Sequence, residues 1–136
     1  MGWLPDASSF LTKSSVDGAT IATTETTTSS TFTDLATAGP AVTAITGARA
    51  LVYLGAAFDN NDAAGTSLMG FDVSGASSVA ASVVDSVSSQ GTNGLRAGGW
   101  FLVTGLTPGS NVFTAKYRTA TGTAEFSGRR IIVVPL

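Results

Sequence analysis

From residue 41 onward, apolar and polar positions alternate with the two-residue period of β-strands. The pattern is strongest over Arg49–Phe58, where Val52, Leu54, Ala56 and Phe58 share one face and Leu51, Tyr53 and Ala57 share the other. Ala41–Ile45 reads as a shorter strand closed by Thr46-Gly47, and Ser67–Val73 puts Met69, Phe71 and Val73 on one side. Asn111–Arg118 predicts Phe113, Ala115 and Tyr117 facing inward, with Thr114, Lys116 and Arg118 facing outward. Trp100–Thr104 is an almost unbroken apolar run, which predicts a strand buried on both sides. The same reasoning puts Arg129–Val134, with its Ile131-Ile132-Val133-Val134, at the centre of a sheet. Polar and glycine-bearing punctuation separates these runs. Asp59-Asn60-Asn61-Asp62 with Gly65 is a loop, Thr107-Pro108-Gly109 a type II turn, and Thr121-Gly122 the closure of a hairpin.

The remaining stretches are less regular. The threonine-rich segment 19–34 is anchored by Ile21, Phe32 and the adjoining Leu35, and reads either as one or two strands at a sheet edge or as a flexible linker. In 76–90, Val79, Val83, Val84 and Val87 have a helical spacing, but serine and valine are mediocre helix formers. One strand plus a loop is the expectation there. Residues 1–18 differ in texture: Trp3, Leu4, Phe10 and Leu11 are interrupted by Pro5, Asp6, Ser8 and Ser9. Together these elements predict an all-β chain of roughly seven to ten short strands, a jelly-roll β-sandwich over residues 19–136 with an extended N-terminal arm over 1–18.

A chain of 136 residues suits one domain. Charged residues are only 12% of it, and 20 Thr and 16 Ser carry the polarity instead. So low a charge count fits either a surface buried against partners or a neutral, threonine-coated exterior. The net charge is −2 and only Arg129-Arg130 are adjacent bases, so nothing forms the basic stripe that nucleic-acid binding needs. No stretch approaches the length of a membrane span, and the N-terminus lacks the features of a signal peptide. The expectations are a chain made in a cytoplasm, where it stays soluble or assembles, with no nucleic-acid and no membrane partner.

Cysteine and histidine are both absent, which removes disulfides, thiolate metal sites, and the commonest general base and metal ligand. A serine nucleophile has no histidine to activate it. Glu25 and Glu125 are the only glutamates, and the aspartates fall mostly at turn-like places, so a carboxylate pair across a cleft is a weak reading. Asp59–Asp62 gathers oxygen ligands as calcium would, but without the spacing of a known loop; a solvated loop is the plainer reading. Gly98-Gly99 and Gly91-Thr92-Asn93-Gly94 are not followed by the Gly-Lys-Ser/Thr of a phosphate loop. The expectation is a non-enzymatic protein with no catalytic residues, no cofactor and no metal.

Several phrases resemble a known group. They are Gly105-Leu106-Thr107-Pro108-Gly109-Ser110-Asn111-Val112-Phe113-Thr114-Ala115-Lys116-Tyr117-Arg118, then Ala124-Glu125-Phe126-Ser127-Gly128-Arg129-Arg130-Ile131-Ile132-Val133. Thr31-Phe32-Thr33-Asp34-Leu35, Gly39-Pro40-Ala41-Val42-Thr43 and Ala50-Leu51-Val52-Tyr53-Leu54 fit the same layout, so that roughly residues 29–136 are covered. This layout resembles small virion structural proteins of tailed bacteriophages, especially those of actinobacteria. The resemblance implies a fold similar to the C1q/tumour-necrosis-factor jelly roll, usually a homotrimer, found in capsid decoration proteins and in tail or fibre proteins. No collagen-like or coiled-coil stalk is present, which favours a compact decoration protein on the capsid surface over a fibre.

On that reading the chain's partners are itself and the major capsid protein. Tyr53, Trp100, Phe113 and Tyr117 would meet at the trimer interface, with Arg129 and Arg130 as intersubunit salt-bridge partners or as a solvated strand start. Trp3, Leu4, Phe10 and Leu11 would anchor the capsid, since four such side chains are a liability on a lone monomer. The burial gain of one arm and the entropy of ordering it are of similar size, whereas three arms on one trimer would act through effective concentration. The other course for the arm is to fold back on its own sandwich. The alternative function is a tail-tip or fibre module binding host-surface glycan, which predicts exposed aromatics near Asp59–Asp62 or Gly91–Gly99.

Overall fold

The computed structural model describes residues 12–136. Nine strands follow one another: β1 (Asp17–Ile21), β2 (Glu25–Thr27), β3 (Ala41–Thr46), β4 (Ala50–Asn60), β5 (Thr66–Gly75), β6 (Val87–Gln90), β7 (Leu95–Val103), β8 (Gly109–Thr119) and β9 (Ala124–Pro135). There is no helix among the described residues. One sheet has the order β1-β9-β4-β7, with β2 also pairing β9; the other has the order β3-β8-β5-β6. All pairings between strands are antiparallel. The two sheets form a jelly-roll β-sandwich.

The alternation along each strand decides which side chains the sandwich encloses. Val52, Leu54, Ala56 and Phe58 of β4 and Ile131 and Val133 of β9 are buried against Met69, Phe71 and Val73 of β5 and Phe113, Ala115 and Tyr117 of β8. Phe126 ties this core together, with ring centroids 5.4 Å from Phe58 and 4.8 Å from Tyr117. Asn111 at one end and Asn60 at the other satisfy turn backbone that the sheets leave unpaired. The Asn60 amide donates to Ser67 Oγ, Thr119 Oγ1 and the Thr121 carbonyl, and its oxygen accepts the Asp62 N–H.

Several expectations need correction. The 1–18 boundary falls inside the domain: β1 begins at Asp17, and Ser14 exchanges hydrogen bonds with Ile45 of β3. Trp100–Thr104 is not buried on both sides. It belongs to β7, an edge strand that turns Phe101 and Val103 inward and leaves Trp100 and Leu102 more than half exposed. Thr121-Gly122 does not close a hairpin within one sheet, because it carries the chain from β8 in one sheet to β9 in the other. Segment 76–90, by contrast, is the expected strand plus loop: β6, and a loop with one bridge of Val79 to Val73.

Arg129 also departs from expectation. β9 contains a bulge opposite Gly55–Ala57, where Gly128 has φ +52°, and the extra length turns Arg129 into the interior. Its guanidinium is fully enclosed and donates to Glu25 Oε1 at 2.7 Å and to the carbonyls of Thr37 and Gly39 at 3.2 Å. It also lies 5.3 Å from the Tyr117 ring centroid, while Nε finds no partner. Glu25 accepts from the Thr37 hydroxyl and N–H as well, so this cluster fastens the covering segment between β2 and β3 to the core. Burial pushes the Tyr117 phenol up to about 12, and its hydroxyl donates to the Gly39 carbonyl at 2.8 Å.

Candidate functional site

The outer face of the five-stranded sheet breaks the rule that a solvent-facing side should be polar. Register places Leu102, Leu51 and Val134 side by side in one row across β7, β4 and β9. The next row holds Trp100, Tyr53, Ile132 and, on β1, Gly18. Trp100 and Leu102 are 55% and 53% exposed, and Tyr53 packs on Trp100 with ring centroids 5.4 Å apart.

Two glycines flatten this face. Gly55 and Gly98 sit opposite each other in β4 and β7, and the Tyr53 ring lies across both. A Cβ on Gly55 would come within 2.6 Å of the Tyr53 hydroxyl, and one on Gly98 would overlap it. The ring can therefore lie along the sheet only because both positions lack a side chain.

Beyond the apolar rows the face becomes charged. Arg130 stands opposite Gly55, with its Nε 3.3 Å from Thr20 Oγ1, and Arg96 reaches the Gly128 carbonyl at 3.3 Å. Further along, Asp59 and Glu125 are register partners. An open depression of about 210 Å³ beside them is lined by Thr26, Asp59, Asn60, Asn61, Thr123 and Glu125. Among the described residues no aromatic ring lines it, as a stacked sugar would require. The Asp59–Asp62 oxygens are largely engaged in their own turn, accepting from the N–H groups of Asn60, Asp62, Ala64 and Thr123. Among the described residues no three His, Cys, Asp or Glu side chains form a metal-binding group.

The residues expected at a subunit interface divide between surface and interior. Tyr53, Trp100 and Arg130 lie together on the outer face. Phe113, Tyr117 and Arg129 are completely buried within the subunit, so they have no area to offer a neighbour. Leu51, Leu102, Ile132 and Val134 were not singled out as site residues; the signal for them was the doubled apolar face of the β7 and β9 runs. Trp3, Leu4, Phe10 and Leu11, expected to anchor the capsid, lie outside the described residues.

The other sheet carries a different cluster on its outer side. Lys116 bonds Asp34 at 2.7 Å and lies 3.7 Å from Asp72. The Asp34 hydrogen bond raises the Lys116 pKa, while burial raises that of Asp72. Phe32 covers Gly70 beside them, under the Arg118 guanidinium. These contacts hold the segment before β3 in place, and an open depression of about 450 Å³ beside them is lined by Phe32, Asp72, Ala80, Ala81, Lys116 and Arg118.

No protein-family model matches the sequence, and no curated protein is similar to it. Among solved structures, the chain is similar to Eiger TNF from S. frugiperda, with TM-score 0.54 and 10% identity over 90% of this chain and 92% of that one. It also matches a chain of infectious bursal disease virus, Gx strain, more loosely. There the TM-score is 0.47 and the identity 12%, over 88% of this chain and 32% of the viral one. At such identities the likeness is one of fold: the protein is a jelly-roll β-sandwich of the TNF-like kind.

Proposed function

We propose that this protein is a homotrimeric capsid decoration protein of a phage virion, bound to the assembled shell of major capsid protein and devoid of enzymatic activity. The observation that carries the self-association is the apolar outer face of the five-stranded sheet, where Trp100 and Leu102 are more than half exposed beside Tyr53, Leu51, Ile132 and Val134. A large contiguous apolar patch on a solvent face marks an interaction surface. The phage reading is supported by the sequence resemblance over roughly residues 29–136 and by the low charge content. A ligand that binds only the assembled shell stabilises it by mass action, by about 2.7 kcal/mol per site at a hundred times its dissociation constant.

Two measurements test this. Light scattering coupled to gel filtration is expected to give the mass of a trimer. Cosedimentation with phage shells assembled without this protein is expected to show saturable binding, lost on deleting residues 1–11 with the trimer intact. Deletion to residue 18 is unsuitable, because it cuts into β1 and the Ser14–Ile45 bonds. Shells fully decorated by the truncated chain would refute the role of the arm, and a monomer that ignores shells would refute the whole reading. A glycan-binding tail module keeps one point of support, the exposed Trp100 beside Gly98-Gly99, but among the described residues no ring lines the depression at Asp59–Asn61.

A further inference from the structure

We infer that Trp100 of one copy seats in the depression beside Gly18 of the next, so that copies join head to tail into a closed ring. This deepens the self-association reading and rests on it. The knob is plain: Trp100 is a large side chain, 55% exposed, on an edge strand whose outer backbone is unpaired. The socket lies at the opposite edge of the same sheet, lined by residues 16–20, Asp17 among them, with Arg130 and Ile132, and has about 410 Å³ of open space. That is room for an indole, on the scale of small-molecule sites of roughly 300–1,000 Å³. Gly18 has no side chain to fill it, and Val16 on its wall is 59% exposed.

Chemistry and symmetry both favour a second copy as the occupant. Arg130 stands on the wall of the socket, and tryptophan is the best aromatic partner for a guanidinium. Within one subunit the two are on different strands, with Tyr53 and Ile132 between the edges. Knob and socket occupy the same register row, Gly18–Ile132–Tyr53–Trp100. A rotation axis running along the strands carries every point to an equivalent point at the same height. The Trp100 of one subunit then meets the Gly18 of the next with no rise, which is the condition for a heterologous contact to close into a ring instead of a filament.

Complementation between two crippled surfaces tests the inference. Trp100→Lys removes the knob, and Arg130→Glu, or Thr20→Trp as a second socket variant, spoils the hole; all three side chains are exposed. Each variant alone is expected to be monomeric, with association weakened about 30-fold or more. An equimolar mixture of a knob variant and a socket variant retains one intact contact, and is expected to give a dimer that cannot grow. Wild-type oligomers alongside a mixture that stays monomeric would overturn the knob and socket while leaving self-association standing. So would a Trp100→Lys variant that keeps the wild-type mass. A wild-type chain that is itself monomeric would overturn both.

Discussion

Replacing Arg129 with methionine removes a fully enclosed cation while keeping much of its bulk. The guanidinium makes one charged hydrogen bond of 2.7 Å to Glu25, two to the carbonyls of Thr37 and Gly39, and a face contact with Tyr117. Breaking a buried pair by removing one partner costs about 3–5 kcal/mol. For a domain of this length that corresponds to a fall in Tm of roughly 10–20 °C. Calorimetry at one fixed protein concentration checks it, since association makes Tm concentration-dependent. The double variant Arg129→Met/Glu25→Gln is expected to recover part of the loss, because no charge is then left facing an empty site. Glu25 keeps a solvent-facing edge, so Glu25→Gln alone is expected to be milder than Arg129→Met. The pair also has a pH signature. Hydrogen bonds from the Thr37 side chain and backbone, together with Arg129, lower the Glu25 pKa below its ordinary 4.5. Its contribution is therefore present above that value and is lost as pH falls through the lower folded one. A change in Tm below about 3 °C for Arg129→Met, or a double variant showing the simple sum of the two singles, would refute the view that this pair fastens the segment before β3.

Further outcomes follow from other contacts. Tyr117 titrates near 12 in the folded chain and near 10 when unfolded, so the unfolded state loses its proton first. Stability is expected to fall between pH 10 and 12 by about 1.4 kcal/mol per pH unit from this group. Urea unfolding of wild type against Tyr117→Phe isolates that slope; equal slopes would refute it. Gly98→Ala is expected to lift the Tyr53 ring from the sheet and weaken self-association, with little change in Tm. An unaltered mass by light scattering would show that the flat ring does not matter. Asn60→Ala leaves the Asp62 N–H and the hydroxyls of Ser67 and Thr119 short of a partner, at about 2–3 kcal/mol by urea unfolding. Phe58→Ala opens a cavity between the sheets and is expected to cost about 3–5 kcal/mol.

Most strands were legible because burial in a sandwich is periodic. Val52, Leu54, Ala56 and Phe58, or Phe113, Ala115 and Tyr117, announce an inward face by spacing alone, and each is enclosed. Pairing was not legible in the same way. Thr121-Gly122 carries ordinary turn chemistry, and nothing local says whether the next strand joins the same sheet or crosses to the other. Arg129 was hidden for a related reason. Counting by two from Phe126 faces Arg129 outward; the bulge at Gly128 shifts the phase, so that Arg129 instead keeps step with the inward Ile131 and Val133. Glu25, which meets it, lies 104 residues away and belongs to a threonine-rich stretch that gave no sign of a buried charge.

The run Trp100–Thr104 and the run Ile131–Val134 look alike in sequence, yet one is an edge and the other is central. Apolar residues on both faces say that both faces are to be covered; they do not say by whom. For β9, neighbouring strands and the opposing sheet cover one face, and Ile132 and Val134 line up on the other. For β7 the subunit encloses Phe101 and Val103 but supplies nothing over Trp100 and Leu102. β7 is thus apolar on both faces but enclosed on only one. The subunit by itself leaves that side bare, and on the self-association proposed above the flat row that Tyr53, Gly55 and Gly98 make beside it is the surface a second copy would meet. On that proposal, a strand apolar on both faces yet placed at a sheet edge is one completed between subunits.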